Sequence, residues 1–333
     1  MLDGDAVVAN DVDLDALEGI DAVGHRIVHG GIEFVEPVVI DDDVVRRLEA
    51  LTDLAPLHQP KSLRGLELVG KALPGVPAVA CFDTAFHAHI PAAAATYALP
   101  REWRRRWSLR RFGFHGLSHA YASRRAAELA GVAVDGLRVV TCHLGAGASL
   151  AAVLGGVSVD TTMGFTPLDG LVMATRSGSV DPGLILWLEE HMGMPPSELA
   201  STLEHRSGLL GLAGTGDMKA VLEAEAAGDE DARLAIEVYL HRLRGEIAGM
   251  AAALGGLDVL VFTGGVGERS APIRARAADG LGFLGIGVDR ARNAAPELDA
   301  EISSSDAVVR TFAVAAREDL EIARGVRSAL ALE

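Results

Sequence analysis

Short apolar runs rich in β-branched residues recur along the chain and are punctuated by Gly, Pro and Asp. They predict strands at Ala22–Val28, Pro77–Phe82, Leu137–Cys142, Ser149–Val153, Val157–Val159, Val259–Phe262 and Val308–Val314. Longer stretches with a helical repeat lie between them, at Asp42–Leu51, Ser62–Leu73, Ser118–Ala130, Pro182–His191, Asp217–Ala226, Asp231–Leu254, Ala271–Asp279 and Glu318–Leu330. The alternation predicts an α/β architecture. In the longest helix Ile236, Leu240, Leu243, Ile247, Met250 and Leu254 recur at spacings of four and three, the stripe of a core or subunit-packing face. Gly145–Val159 reads as paired hairpins turning at GAG and GG. A boundary near Phe82–Phe86 splits the chain into residues 1–83 plus 321–333, with the last helix returning, and residues 84–320.

Composition narrows the partners. Aromatic content is 5%, so the core is built from Ala, Val and Leu. A net charge of −16 excludes nucleic acid or an anionic membrane as the main partner, and any anionic substrate must be held by local basic residues. Cys81 and Cys142 sit alone in apolar runs and read as buried, inert thiols of a reducing compartment. The acidic start lacks the basic and apolar regions of a secretory signal, and no window holds about eighteen apolar residues. A soluble, cytoplasmic protein is expected.

The most informative stretch is Asp160–Pro182, DTTMGFTPLDGLVMATRSGSVDP. A long loop in a compact chain is a site or a tether, and Met163, Phe165, Leu168, Leu171, Val172 and Met173 need something to pack on. An ordered loop presenting Arg176 suits a carboxylate or phosphoryl group, which a guanidinium grips with two nitrogens. Arg26, in GHRIVHGG at a strand end, is a second candidate for the same anion; a surface ion pair is the plainer reading. HLGAGAS (His143–Ser149) lets backbone N–H groups approach phosphate oxygens, although a plain hairpin turn fits equally well. FTGGVGE (Phe262–Glu268), a strand–glycine–helix junction without the Walker GK[ST], suits a nucleotide.

His115 and His119 in RFGFHGLSH sit four apart, but Gly113 and Gly116 break a helix there; His87 and His89 form an H-x-H. A His115 hydrogen-bonded to a charged reacting group is favoured over metal binding. Asp83 directly follows a strand and reads either as a catalytic carboxylate or as a turn cap. Glu318 stands at a helix start, where the macrodipole favours an acid.

Read in order, HRIVHGG, LAPLHQP, FDTAFH, FGFHGLSH, CHLGAGAS, the Asp160–Pro182 loop, SGLLGLAGTGD, FTGGVGE and ARED strongly resemble the acetate kinases, whose relatives the propionate kinases share most of them. The resemblance implies a two-domain, duplicated actin-like ATPase (ribonuclease H-like) fold with an interdomain cleft. It implies Mg²⁺- or Mn²⁺-dependent phosphoryl transfer from ATP to acetate, giving acetyl phosphate, and a homodimer. On this resemblance Arg26 and Arg176 hold the carboxylate and the moving phosphoryl group, His115 stabilises that group, Asp83 lies near substrate and metal, and Glu318 positions the metal. His58 matches a further active-site position, and Val28, Leu57, Phe114 and Pro167 match the pocket for the acyl methyl. His143, Gly145, Ala146 and Gly147 match the phosphate turn; Asp217, Met218 and Lys219 the loop near adenosine; Gly265, Val266 and Gly267 the nucleotide-binding turn.

Four departures stand out. No Asn-x-Gly-Ser-Ser-Ser-x-Lys phosphate loop occurs, and only 25 residues precede Arg26, so the first strands are expected to be absent. The family's Asn in the phosphate turn is Ala146, its Asp-Phe-Arg run reads Asp217-Met218-Lys219, and its Asn after the nucleotide turn is Arg269. The alternatives are a catalytically impaired nucleotide-binding member, a propionate kinase, and a zinc hydrolase using His87 and His89.

Overall fold

The computed structural model describes residues 2–3, 6–7, 19–52, 59–294 and 297–332. The chain divides into two compact units, one comprising Met1–His89, Phe114–Tyr121 and Arg317–Glu333, the other Ile90–Gly113 and Ala122–Ala316.

In the first unit Ala78–Phe82 is the middle of a three-stranded sheet, parallel to Val23–Ile27 and antiparallel to Val38–Val39. A strand covered on both faces must be apolar throughout, which is why AVACF does not alternate. Its side chains serve two cores in turn. Ala80 and Phe82 join Ile27, Phe34, Val44, Leu48 and Leu66 on one face. Val79 and Cys81 join Leu117 and Val326 on the other. Helices Asp42–Ala50 and Gln59–Ala72 supply the first layer, and Glu318–Leu330 supplies the second.

The second unit holds a six-stranded sheet in the order Ala300–Glu301, Arg310–Ala313, Val259–Thr263, Arg138–Leu144, Ala148–Leu154, Val157–Thr161. Arg310–Ala313, Val259–Thr263 and Arg138–Leu144 run parallel, and the remaining pairings are antiparallel. Helix Glu230–Ala253 packs on this sheet and buries Ile236, Leu240, Leu243, Ile247 and Met250, so the stripe belongs to the core of this unit. The parallel pair places His143 opposite Thr263, so the two glycine-rich turns leave neighbouring strand ends.

All seven expected strands and all eight expected helices form, with ends displaced by a residue or two, three at the start of Gln59–Ala72. One local reading changes: Gly116 does not break a helix but opens one, Gly116–Ala130, with His119 inside its first turn and His115 just before it. Unforeseen elements are short, among them the strands Val38–Val39 and Ala300–Glu301 and the helices Arg101–Trp107, Pro196–His205 and Gly208–Ala213. Cys81 and Cys142 are free and buried. Among the described residues no helix is long and apolar enough to cross a membrane.

Candidate active site

Arg26 stands one residue before the end of strand Val23–Ile27, and Asp83 directly follows the neighbouring parallel strand, so the sheet brings them side by side. Arg26 Nη2 donates to Asp83 Oδ2 at 2.6 Å and Nε donates to Oδ1 at 3.0 Å. Glu318, at the start of the last helix, puts Oε2 3.3 Å from the same Nε. Burial opposes the charge on Arg26, but Asp83 and then Glu318 outweigh it and hold its pKa above the ordinary value. Burial raises the Glu318 carboxyl, Arg26 pulls it down, and Asp83 and Asp319 push it further up. The Arg26 side chain is 41% exposed while that of Asp83 is 2% exposed, so the guanidinium has an open side.

His115 is tied to this pair through the backbone. The Gly116 N–H donates to the Asp83 carbonyl at 2.9 Å, and a Cβ at Gly116 would lie 2.3 Å from that oxygen. Only glycine allows so close a crossing, and His115 before it is held at φ 56°, a left-handed conformation uncommon outside glycine. Backbone strain of this kind clusters at functional positions. Phe114 is buried, with its ring edge-on to His29 at 5.5 Å between centroids, and its carbonyl accepts from His87 Nε2–H at 3.1 Å. Val28 is half-buried. Leu57 and His58 lie outside the described residues.

In the second unit the Asp160–Pro182 loop is ordered, and Met163, Leu171, Val172 and Met173 are buried as their packing demands. Helix Gly208–Ala213 braces it: Leu209 N–H donates to Met173 O and Leu210 N–H to Ala174 O, both at 2.9 Å. Gly208, at φ 61°, passes directly under the carbonyls of Met173 and Arg176, where a Cβ would come within 2.2 and 2.6 Å. Arg176 Nη1 donates to Pro167 O at 3.3 Å, and Nε lies 4.0 Å from Glu204 Oε1. Burial lowers its pKa and Glu204 partly restores it. A guanidinium remains charged under such a shift, so this cation is mostly desolvated with a distant counter-ion, a state that favours an incoming anion.

The Ala174 N–H donates to the Ala146 carbonyl at 3.1 Å, which links the Arg176 loop to the turn Gly145–Gly147. Within that turn Gly145 N–H donates to Gly147 O, and His143 ends the strand before it. Gly264 (φ 77°) lies against Leu144 and opens helix Gly264–Arg269, which carries Gly265, Val266 and Gly267. No atom lies within 4 Å of where a Gly265 Cβ would be, so that backbone borders open space. Asp217 caps helix Met218–Ala226 by accepting from Lys219 N–H; Met218 is buried and the Lys219 side chain is 83% exposed. Among the described residues no three His, Cys, Asp or Glu side chains form a group able to hold a metal, so the zinc-hydrolase reading gains no ligand set.

Sequence reasoning missed Glu204 and Arg111. Glu204 lies in a helix not foreseen. Arg111 opens the RFGFHGLSH run with no motif of its own, yet its Nη1 donates to the carbonyls of Thr161, Thr162 and Met163.

The strand order of the second unit, with glycine turns at its parallel strand ends, belongs to an α/β fold of the actin-like ATPase class. The chain matches the Acetokinase family over residues 6–324 and belongs to that family. It is 50% identical over 319 residues to the acetate kinase of Microcystis aeruginosa, covering 96% of this chain and 78% of that one. It is similar to the crystal structure of Porphyromonas gingivalis acetate kinase, with TM-score 0.88 and 40% identity over 93% of this chain and 78% of that one. A propionate kinase from Francisella tularensis superposes with TM-score 0.87 at 40% identity, covering 92% of this chain and 78% of that one.

Proposed function

We propose that this chain catalyses the reversible transfer of the γ-phosphoryl group of ATP to acetate, or a close short-chain carboxylate, giving acetyl phosphate and ADP. The observation that carries the reading is the Arg26 guanidinium held by Asp83 and Glu318 with its remaining face exposed. Phosphoryl transfer asks the protein for positioning and charge neutralisation more than for covalent chemistry.

In this scheme Arg26 binds the acceptor carboxylate, and Val28, Leu57, Phe114 and Pro167 take the role of recognising its alkyl group. Arg176 and His115 stabilise charge on the moving phosphoryl group, and His58 takes part in substrate binding. The turn His143–Gly147, the cap Asp217–Lys219 and the turn Gly265–Gly267 bind the nucleotide. Glu318, partly exposed beside Arg26, offers carboxylate oxygens that fit a magnesium ion taking most of its ligands from water and nucleotide, with the buried Asp83 close behind. Such an ion, when bound, neutralises the phosphate charge that develops. A homodimer and a cytoplasmic location complete the proposal.

Trapping acetyl phosphate as hydroxamate, with Mg-ATP and either acetate or propionate, tests it. Turnover with one of the two supports the reading and sets the acceptor. Nucleotide binding without acyl phosphate would instead support an impaired member, the reading that Ala146 favours by lacking a side-chain donor in the phosphate turn.

A further inference from the structure

Arg111 has no part in the scheme above, yet its surroundings are built. Its own N–H donates to Ala95 O at 2.8 Å. Nη1 donates to three successive carbonyls, of Thr161 at 3.1 Å, Thr162 at 2.9 Å and Met163 at 3.0 Å, and lies 3.5 Å from Asp169 Oδ2. The guanidinium sits 5.8 Å from the centre of the Tyr97 ring, whose hydroxyl accepts from Phe165 N–H at 2.7 Å. Arginine suits this position because it cannot lose its proton and carries donors in a rigid fork.

From Asp169 the contacts lead to Arg176. Asp169 Oδ1 accepts from Gly170 N–H at 2.9 Å and from the Ser179 hydroxyl at 2.5 Å, and Ser179 N–H donates to Gly170 O at 2.9 Å. Two residues before Asp169, the Pro167 carbonyl accepts from Arg176 Nη1. The start, middle and end of the loop are thus gathered on the Arg111–Asp169 pair, and Arg176 is held from the middle.

We propose that Arg111 is a positioning residue for phosphoryl transfer, pinning the 161–170 limb so that the Arg176 guanidinium is preset before substrate arrives. This rests on the reading of Arg176 given above. The charges facing Arg111 sharpen it. Asp169 lies 3.5 Å from this cation, and the charge of Arg111 is felt by Asp160, Glu246 and the Tyr97 hydroxyl. Burial, above all, raises the Asp160 and Glu246 carboxyls, and Arg111 draws both back down. Without Arg111 the Asp169 carboxylate loses its cation partner and the carbonyls of Thr161, Thr162 and Met163 lose a shared donor.

The test compares Arg111→Gln and Arg111→Lys with the unaltered protein in steady-state kinetics and in hydrogen exchange read by mass spectrometry. Misplacing Arg176 by about 1 Å lowers kcat roughly 100-fold in the Gln variant, with the KM for ATP within about threefold. The Lys variant recovers part of the loss. Peptides covering 162–181 exchange faster in the Gln variant while those of strand Arg138–Leu144 do not change. A faster-exchanging loop with unaltered kcat, or unaltered exchange with reduced kcat, would overturn the proposal. Absence of turnover in the unaltered protein would sink the kinase reading alone, and exchange would still decide whether Arg111 pins the loop.

Discussion

Arg26 grips Asp83 across the ends of two adjacent parallel strands, at 2.6 Å from Nη2 to Oδ2 and 3.0 Å from Nε to Oδ1. The pair is asymmetric: the carboxylate is buried and the guanidinium half-open, so Asp83 sets the direction of Arg26 and Arg26 faces the ligand. Asp83→Asn keeps the shape and removes the charge. It is expected to lower kcat by about two orders of magnitude through loss of orientation. The stability loss should be about 1–2 kcal/mol, since one charge-assisted hydrogen bond is weakened and not deleted. Kinetics together with urea unfolding separate the two; equal kcat in the variant would remove Asp83 from the site.

His115 sits in a left-handed conformation that glycine adopts freely. His115→Gly should therefore raise stability by up to about 1 kcal/mol while lowering turnover by at least about tenfold, because strain is relieved and the imidazole lost. Melting temperature and kcat moving in opposite directions is the expected signature, and a parallel fall in both would contradict it.

Arg176→Ala is expected to reduce kcat by roughly three orders of magnitude or more with a modest change in ATP affinity, because its contact strengthens as charge shifts. Arg176→Lys should recover little, since a point charge cannot reproduce a planar fork. Isothermal titration with ADP alongside single-turnover kinetics checks both statements, and kcat equal to that of the unaltered protein would rule out the assigned role.

Acid sensitivity should come from two buried imidazoles. Burial lowers both His29 and His87 to about 4, and the Phe114 carbonyl only partly offsets this at His87. His29 Nδ1 accepts from Gly31 N–H, which a protonated ring could not do. The folded chain keeps both neutral, whereas the unfolded chain protonates near pH 6.5. Their contribution is complete above about pH 6.5 and is lost as pH falls towards 4, at about 1.4 kcal/mol per unit of difference for each group. Urea midpoints should fall between pH 7.5 and pH 5, and His87→Gln should flatten that dependence. Midpoints that do not move across this range would refute it.

The strands were legible because buried parallel strands leave unbroken apolar runs such as AVACF and VLVFT, and the long helix because its stripe repeats every three to four residues. Val38–Val39 and Gly208–Ala213 were not, since two residues show no alternation and a single glycine-rich turn of helix shows no period. The Asp160–Pro182 loop declared itself through apolar residues that needed burial. Its support did not: Arg111 earns its place from carbonyls some fifty residues away, and backbone acceptors carry no sequence signature. Likewise GFHGLSH pointed to His115, but that Gly116 must clear the Asp83 carbonyl is a tertiary fact.

Cys81 and Cys142 are enclosed, and burial pushes both thiols up, Cys81 to about 12 with Glu321 adding to the effect. At neutral pH neither supplies the thiolate that maleimides attack. The protein is thus a ready-made background for site-directed labelling. One cysteine introduced at an exposed position such as Arg105 should take up a single fluorophore with the natural cysteines left in place.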